Sequence, residues 1–297
     1  LRCSTFILTF GLILCMASTR TYATESSVQT PKTNTTRPNT NKWFEPSYLI
    51  DWGLSLGVAG AGLALLQIEP PTRPFRVGDP SISNPYHDNT ISTGLAAGLS
   101  AGIPLALFGL SQIWVRSGHD FHHAALGLFE GISLTFFTTT LLKVTIGRLR
   151  PDFIARCQPD SQLSCTGDPE LIRTGRRSFP SGHSSAAFAG GMFLSLYLWG
   201  KLQPLSARGT FWKLLLSLSP LFGATMMGVS RIVDNRHHWE DVLVGAFIGM
   251  GFSWLTYHLH FPAPWSRKSG TPKRRLRVSL APMLGPDRFG FALSCLY

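Results

Sequence analysis

The chain has 297 residues, 44% of them hydrophobic and only 14% charged, with a formal net charge of +11. A soluble domain carries about 25% charged residues, so the composition points to a membrane and away from a soluble globular enzyme. The basic excess lies in short segments flanking apolar runs and forms no stripe on a soluble module. That pattern fits membrane topology and an anionic substrate, and excludes nucleic acid as a partner.

Residues 1–23 read as a signal-like or membrane-anchor segment: an early arginine, a short apolar core over 4–18, and a small residue at Ala23. Residues 24–47 are rich in Thr, Asn, Ser and Pro without apolar periodicity, and read as a flexible leader. Six apolar runs follow, at about 48–67, 93–115, 123–142, 184–202, 211–229 and 241–260. Each approaches the roughly 20 residues a spanning helix needs, the fourth only marginally. All are rich in Gly, Ala, Ser and Thr, which suits close helix packing in lipid, and Gly245 and Gly249 form one GxxxG pair. Residues 48–261 are thus expected to form an all-α, six-helix transmembrane bundle. The tail, 262–297, is basic, and its last stretch suggests a short hairpin around Gly285-Pro286-Asp287.

The tail's positive charges belong on the cytoplasmic side. Counting spans back puts the loop over 203–210 inside, and the polar patches near 143–151, 180–183 and 230–241 on the outer face. The same parity puts 24–47 inside, which conflicts with a cleaved signal peptide. Either the first segment is an uncleaved span or the first of the six runs does not fully cross. The sequon at Asn34 would then be unmodified. Cys157 and Cys165 share one polar loop, so they are either a disulfide in an oxidising compartment or two free thiols.

Three patches carry chemistry. Lys143 and Arg150 are seven residues apart, about two helical turns, so both can face one side of a helix that Pro151 stops. Cations there can neutralise a phosphate; they also anchor span ends. Pro180-Ser181-Gly182-His183 opens the fourth run. A helix N-terminus offers free N–H groups, Gly182 admits an oxygen close to the backbone, Ser181 can cap the helix or donate to phosphate, and His183 can protonate a leaving oxygen. A plain capping turn would look the same. In the third patch, His237 and Asp241 are spaced i, i+4 on one helix face, with Ser230 and Arg231 before them. An aspartate holding one ring nitrogen leaves the other free to attack. His119, Asp120, His122 and His123 form a weaker metal-type cluster at the opposite end. Glu130 is an acid inside the third run, placed toward that same opposite interface.

Together these motifs resemble the type 2 phosphatidic acid phosphatase (PAP2) superfamily, the lipid phosphate phosphatases. The family pattern KxxxxxxRP, PSGH and SRxxxxxHxxxD is met at Lys143 to Pro151, Pro180 to His183, and Ser230 to Asp241. Arg76 to Tyr86 and the stretch through Cys157 resemble the outer loops of eukaryotic-type members. The resemblance covers about 65–258 and implies the six-helix bundle of the PAP2/haloperoxidase type. It also implies roles. His237 would be the nucleophile, forming a phosphohistidine, with Asp241 orienting it. His183 would be the general acid. Lys143, Arg150, Ser181, Gly182 and Arg231 would hold the phosphoryl oxygens. No metal and no cofactor are implied. The implied substrate is a membrane lipid phosphate such as phosphatidic acid, lysophosphatidic acid or diacylglycerol pyrophosphate. Undecaprenyl diphosphate, phosphatidylglycerophosphate and lipid A phosphate are alternatives, and a non-catalytic anionic-lipid binder or transporter is the rival from another class.

Overall fold

A computed structural model describes residues 48–264 and the backbone of two strands in the tail. The signal-like segment, the leader and Asn34 lie outside the described residues. Among the described residues eight helices run in chain order: α1 (Tyr48–Leu65), α2 (Thr93–Val115), α3 (Gly118–Ile146), α4 (Phe153–Cys157), α5 (Pro169–Gly175), α6 (Gly182–Leu202), α7 (Phe211–Val233) and α8 (Trp239–His260). Strands β1 (Arg277–Gly285) and β2 (Arg288–Leu296) pair antiparallel, which is the expected hairpin and, among the described residues, the departure from an all-α fold. Among the described residues five helices, α1, α2, α3, α7 and α8, are long and apolar enough to cross a membrane. α6, the marginal run, lies outside that set.

The reason is its position. α6 packs against α2, α3, α7 and α8 at once. Its apolar face touches protein rather than lipid, so it tolerates Ser184, Ser185 and Ser195 as buried residues. Small residues let the helices approach closely. The GxxxG pair serves this seam: a Cβ added at Gly249 would collide with the Ser185 carbonyl of α6, and one at Gly245 would come within 2.6 Å of the Ser181 carbonyl. Gly131 of α3 likewise sits against Ser253 and Thr256 of α8.

Helix ends are set by local chemistry. Ser92, Ser117 and Ser181 cap α2, α3 and α6 with their side-chain oxygens. α3 stops at Ile146, because Gly147 takes a left-handed conformation (φ 62°) and its N–H returns to the Lys143 carbonyl. The expectation that Pro151 ends this helix is therefore corrected. Residues 147–150 lie outside any helix, and Lys143 and Arg150 do not share a helix.

The ends of the bundle differ. At one end, α3, α6, α7 and α8 bring the three motif patches together. The connection between α3 and α6 folds over them as α4 and α5, closed by a Cys157–Cys165 disulfide and a small core of Ile82, Leu149, Phe153 and Ile172. At the other end, Asp120 pairs with Lys201 and accepts from Tyr197. There His119, His123 and His260 contact in series, and Glu130 accepts from His260 Nε2 at 2.7 Å. Both the histidine cluster and Glu130 thus fall on the side away from the motifs. Among the described residues no group of three metal-type ligands converges.

Candidate active site

A cavity of about 210 Å³ lies where the motif patches meet, lined by Arg150, His183, Arg231 and His237, with Tyr86, Asn89 and Arg236 among the other walls. His237 comes from the turn between α7 and α8, not from the helix itself. α8 starts at Trp239, and His238 is its N-cap. This corrects the expectation of His237 and Asp241 stacked on one helix face. The turn presents the imidazole to the cavity while Asp241 is used in the first helical turn.

His237 is almost fully buried, and its Nδ1 lies 2.7 Å from the Ser178 carbonyl oxygen. A carbonyl only accepts, so Nδ1 carries the proton and Nε2 keeps its lone pair. Burial holds the imidazole well below its ordinary range, with the Arg150 and Lys143 charges adding to the effect and Asp241 opposing it. The ring is therefore neutral at pH 7 and able to act as a nucleophile. Asp241 stands back, its Oδ2 at 3.8 Å from Nδ1. It is fully buried and accepts from Arg148 Nη1 (2.7 Å), the Ser178 hydroxyl (2.5 Å) and the His238 N–H (3.1 Å). Asp241 thus reaches the imidazole partly through Ser178. Neither Ser178 nor Arg148 stood out in the sequence. Ser178 lies two residues before the Pro-Ser-Gly-His turn, and proximity to that turn was the available signal.

His183, in the first turn of α6, faces the same cavity. Its Nε2 is buried without a partner among the described residues, while a backbone hydrogen bond at Ile91 holds the ring. Arg231 is fully buried and tied to Asp234 (2.6 Å) and Asn89 (3.1 Å). Arg150 differs: among the described residues its side chain makes no ion pair, and its Nε is buried and unsatisfied. Burial, then the nearby Arg156, pushes its guanidinium down to about 9. It remains a cation at neutral pH, with the Asp152 charge opposing the shift and no direct ion-pair partner among the described residues. Lys143 stands behind this wall. Its Nζ donates to the Arg177 carbonyl (2.9 Å), and its Cε would lie 3.6 Å from a Cβ at Gly182. Ser181 is buried as the α6 cap, accepting from the Ser184 N–H, and its own N–H donates to the Asp241 carbonyl oxygen.

Tyr86 was legible only as part of a resembling loop. Its ring lies between two guanidiniums, Arg236 at 4.4 Å and Arg156 at 5.0 Å. Asp152 holds Arg156 through both oxygens at 2.8 Å and also faces Arg236 at 3.6 Å. This stack fixes the outer wall without consuming Arg150.

The PAP2 superfamily model matches residues 124–265. A PA-phosphatase related-family protein of Dictyostelium discoideum is 37% identical over 250 residues, covering 80% of this chain and 89% of the relative. The chain belongs to the PAP2 superfamily. Among its PAP2 relatives, lipid phosphate phosphatase 2 of Arabidopsis thaliana is 36% identical, covering 73% of this chain and 79% of its own. Diacylglycerol pyrophosphate phosphatase 1 of Saccharomyces cerevisiae is 33% identical, covering 65% and 73%. No solved structure matches the chain.

Proposed function

We propose that this PAP2 protein is an integral-membrane lipid phosphate phosphatase working through a phosphohistidine, without a metal. The observation that carries the reading is the cavity itself. A neutral His237 with a free Nε2, an unpaired Nε2 on His183 and an unpaired Arg150 cation face one small space. In the first step Nε2 of His237 attacks phosphorus, the P–O bond to the lipid alcohol breaks, and His183, which takes up a proton at Nε2 as the anionic phosphate binds, gives that proton to the leaving oxygen. In the second step water attacks the phosphohistidine, His183 takes the water's proton, and phosphate leaves. Arg150 and Arg231 hold the phosphoryl oxygens, supported by Lys143, Ser181 and Gly182 at the α6 N-terminus. Asp241 stabilises the positive charge that grows on His237.

Phosphatidic acid, lysophosphatidic acid and diacylglycerol pyrophosphate are the preferred substrates, in line with the names of the relatives. α6 is read as a sixth span, shielded by its neighbours. The site is read on the outer face of the membrane, where a disulfide like the one beside it persists.

The test is phosphate release by detergent-solubilised protein in EDTA. The panel holds phosphatidate, lysophosphatidate, diacylglycerol pyrophosphate, undecaprenyl diphosphate and phosphatidylglycerophosphate, with His237→Ala as control. Release that vanishes in the control supports the reading, and the best substrate sets the preference. Folded protein that binds these lipids and releases nothing would refute it in favour of a lipid-binding protein.

A further inference from the structure

α2 and α7 each pack on α6 but make no comparable contact with one another. Between them is an apolar cleft of about 320 Å³, floored by α6. Two features deepen it. Ala187, Gly190 and Gly191 make the floor small-sided, with Gly190 against the Ser100 carbonyl of α2 and Gly191 against the Pro220 carbonyl of α7. Pro104 of α2 and Pro220 of α7 both line it, at the points where each helix loses a backbone hydrogen bond.

The cleft lies directly below the phosphate cavity. Thr93, His183 and Arg231 line the cavity, and Leu99, Ala187 and Met227 line the cleft on the same three helices. At a rise of 1.5 Å per residue these are about 6–9 Å deeper, the length of a glycerol backbone. Along α6 the cleft runs from Ala187 to Leu198, about 16 Å. Half of a hydrocarbon core about 30 Å thick is about 15 Å. The cleft is thus one leaflet deep, open sideways to lipid, and begins where the phosphate site ends.

We infer that this cleft holds an acyl chain of the substrate and sets chain-length preference. The inference rests on the lipid phosphatase reading above. Gly223 provides the probe: it lines the cleft, and a Cβ there meets nothing within 4 Å. Gly223→Phe would project a ring into the cleft without a clash at the helix seam. The readout is the ratio of kcat/KM for dioleoyl-phosphatidate to that for dibutanoyl-phosphatidate in mixed micelles, the short chain ending above the level of Gly223. Displacing two methylenes or more of the longer chain lowers the ratio by about tenfold or more, and Leu107→Trp, deep on the opposite wall, lowers it likewise. An unchanged ratio in both folded variants overturns the inference, as does an equal loss on both lipids. Wild-type protein that releases phosphate from neither lipid would instead overturn the phosphatase reading.

Discussion

Asp241→Asn separates two ways of holding the proposed nucleophile, His237. If the carboxylate alone fixed the imidazole tautomer, its loss would cost about 10⁴ in kcat, as in a triad whose aspartate becomes asparagine. Here the Ser178 carbonyl, 2.7 Å from Nδ1, fixes the tautomer, and Asp241 Oδ2 lies at 3.8 Å. The variant should keep the ring in place and lose only the charge. A full ion pair at 3.8 Å in an effective dielectric near 20 is about 4 kcal/mol. With about half a unit charge on the ring at the transition state, the loss is about 2 kcal/mol, or about thirtyfold in kcat. Stability should also fall. Asparagine keeps one acceptor for Arg148, but its amide meets the His238 N–H donor to donor and the capping box is lost. That costs about 1–3 kcal/mol, or about 2–10 °C in Tm for a domain of this size. The assay is steady-state phosphate release beside thermal unfolding in the same detergent. A 10⁴-fold loss with Tm intact would show that Asp241, not Ser178, holds the ring. Unchanged kcat would show that the carboxylate has no electrostatic role.

His237→Ala should abolish transfer of labelled phosphate from lipid to protein; persistent labelling would move the nucleophile elsewhere. Because burial holds the His237 imidazole well below its ordinary range, it is already deprotonated above that lowered value. The labelling rate should therefore be flat from pH 6 to 8 for this group, and an ionisation near 6.5 assigned to His237 by site-specific NMR would contradict it. Gly249→Val drives a side chain into the Ser185 carbonyl, whereas Gly251 has open space around it. Size-exclusion profiles should show Gly249→Val aggregated and Gly251→Val intact, and equal behaviour would refute the α6–α8 seam. The Cys157–Cys165 disulfide closes a separation of eight residues, worth about 2.5 kcal/mol in the chain-entropy account. Reductant should lower the Tm of the wild type and leave Cys157→Ser unmoved.

The helices were legible because lipid imposes a simple length and polarity rule, and five of the six expected runs meet it. α6 met it least for a physical reason: a helix ringed by protein needs small residues more than apolar ones. Ends were less legible where two stop signals compete. Pro151 is the conspicuous one, but Gly147 comes first, and a left-handed glycine satisfies the last carbonyls of α3 before the proline is reached. α4 and α5, five and seven residues long, are too short for periodicity to reveal. They depend on the disulfide and on a satellite core assembled from distant loops.

For the site, four of the expected side chains line one cavity while Lys143, Ser181 and Gly182 do not, and spacing did not show how any of them is held. His183, Arg150, Arg231 and His237 share a cavity, as the motifs implied. The i, i+4 spacing of His237 and Asp241 suggested a direct pair, yet a helix that begins at Trp239 puts the first of them in the preceding turn. A turn residue finds its acceptor among backbone atoms, and a backbone carbonyl leaves no trace in sequence. The arrangement has a chemical consequence. A carbonyl fixes the tautomer without placing a negative charge against the ring, and Arg150 in the same cavity makes no ion pair among the described residues. An anionic phosphate entering this cavity would give Arg150 the ion-pair partner it lacks among the described residues.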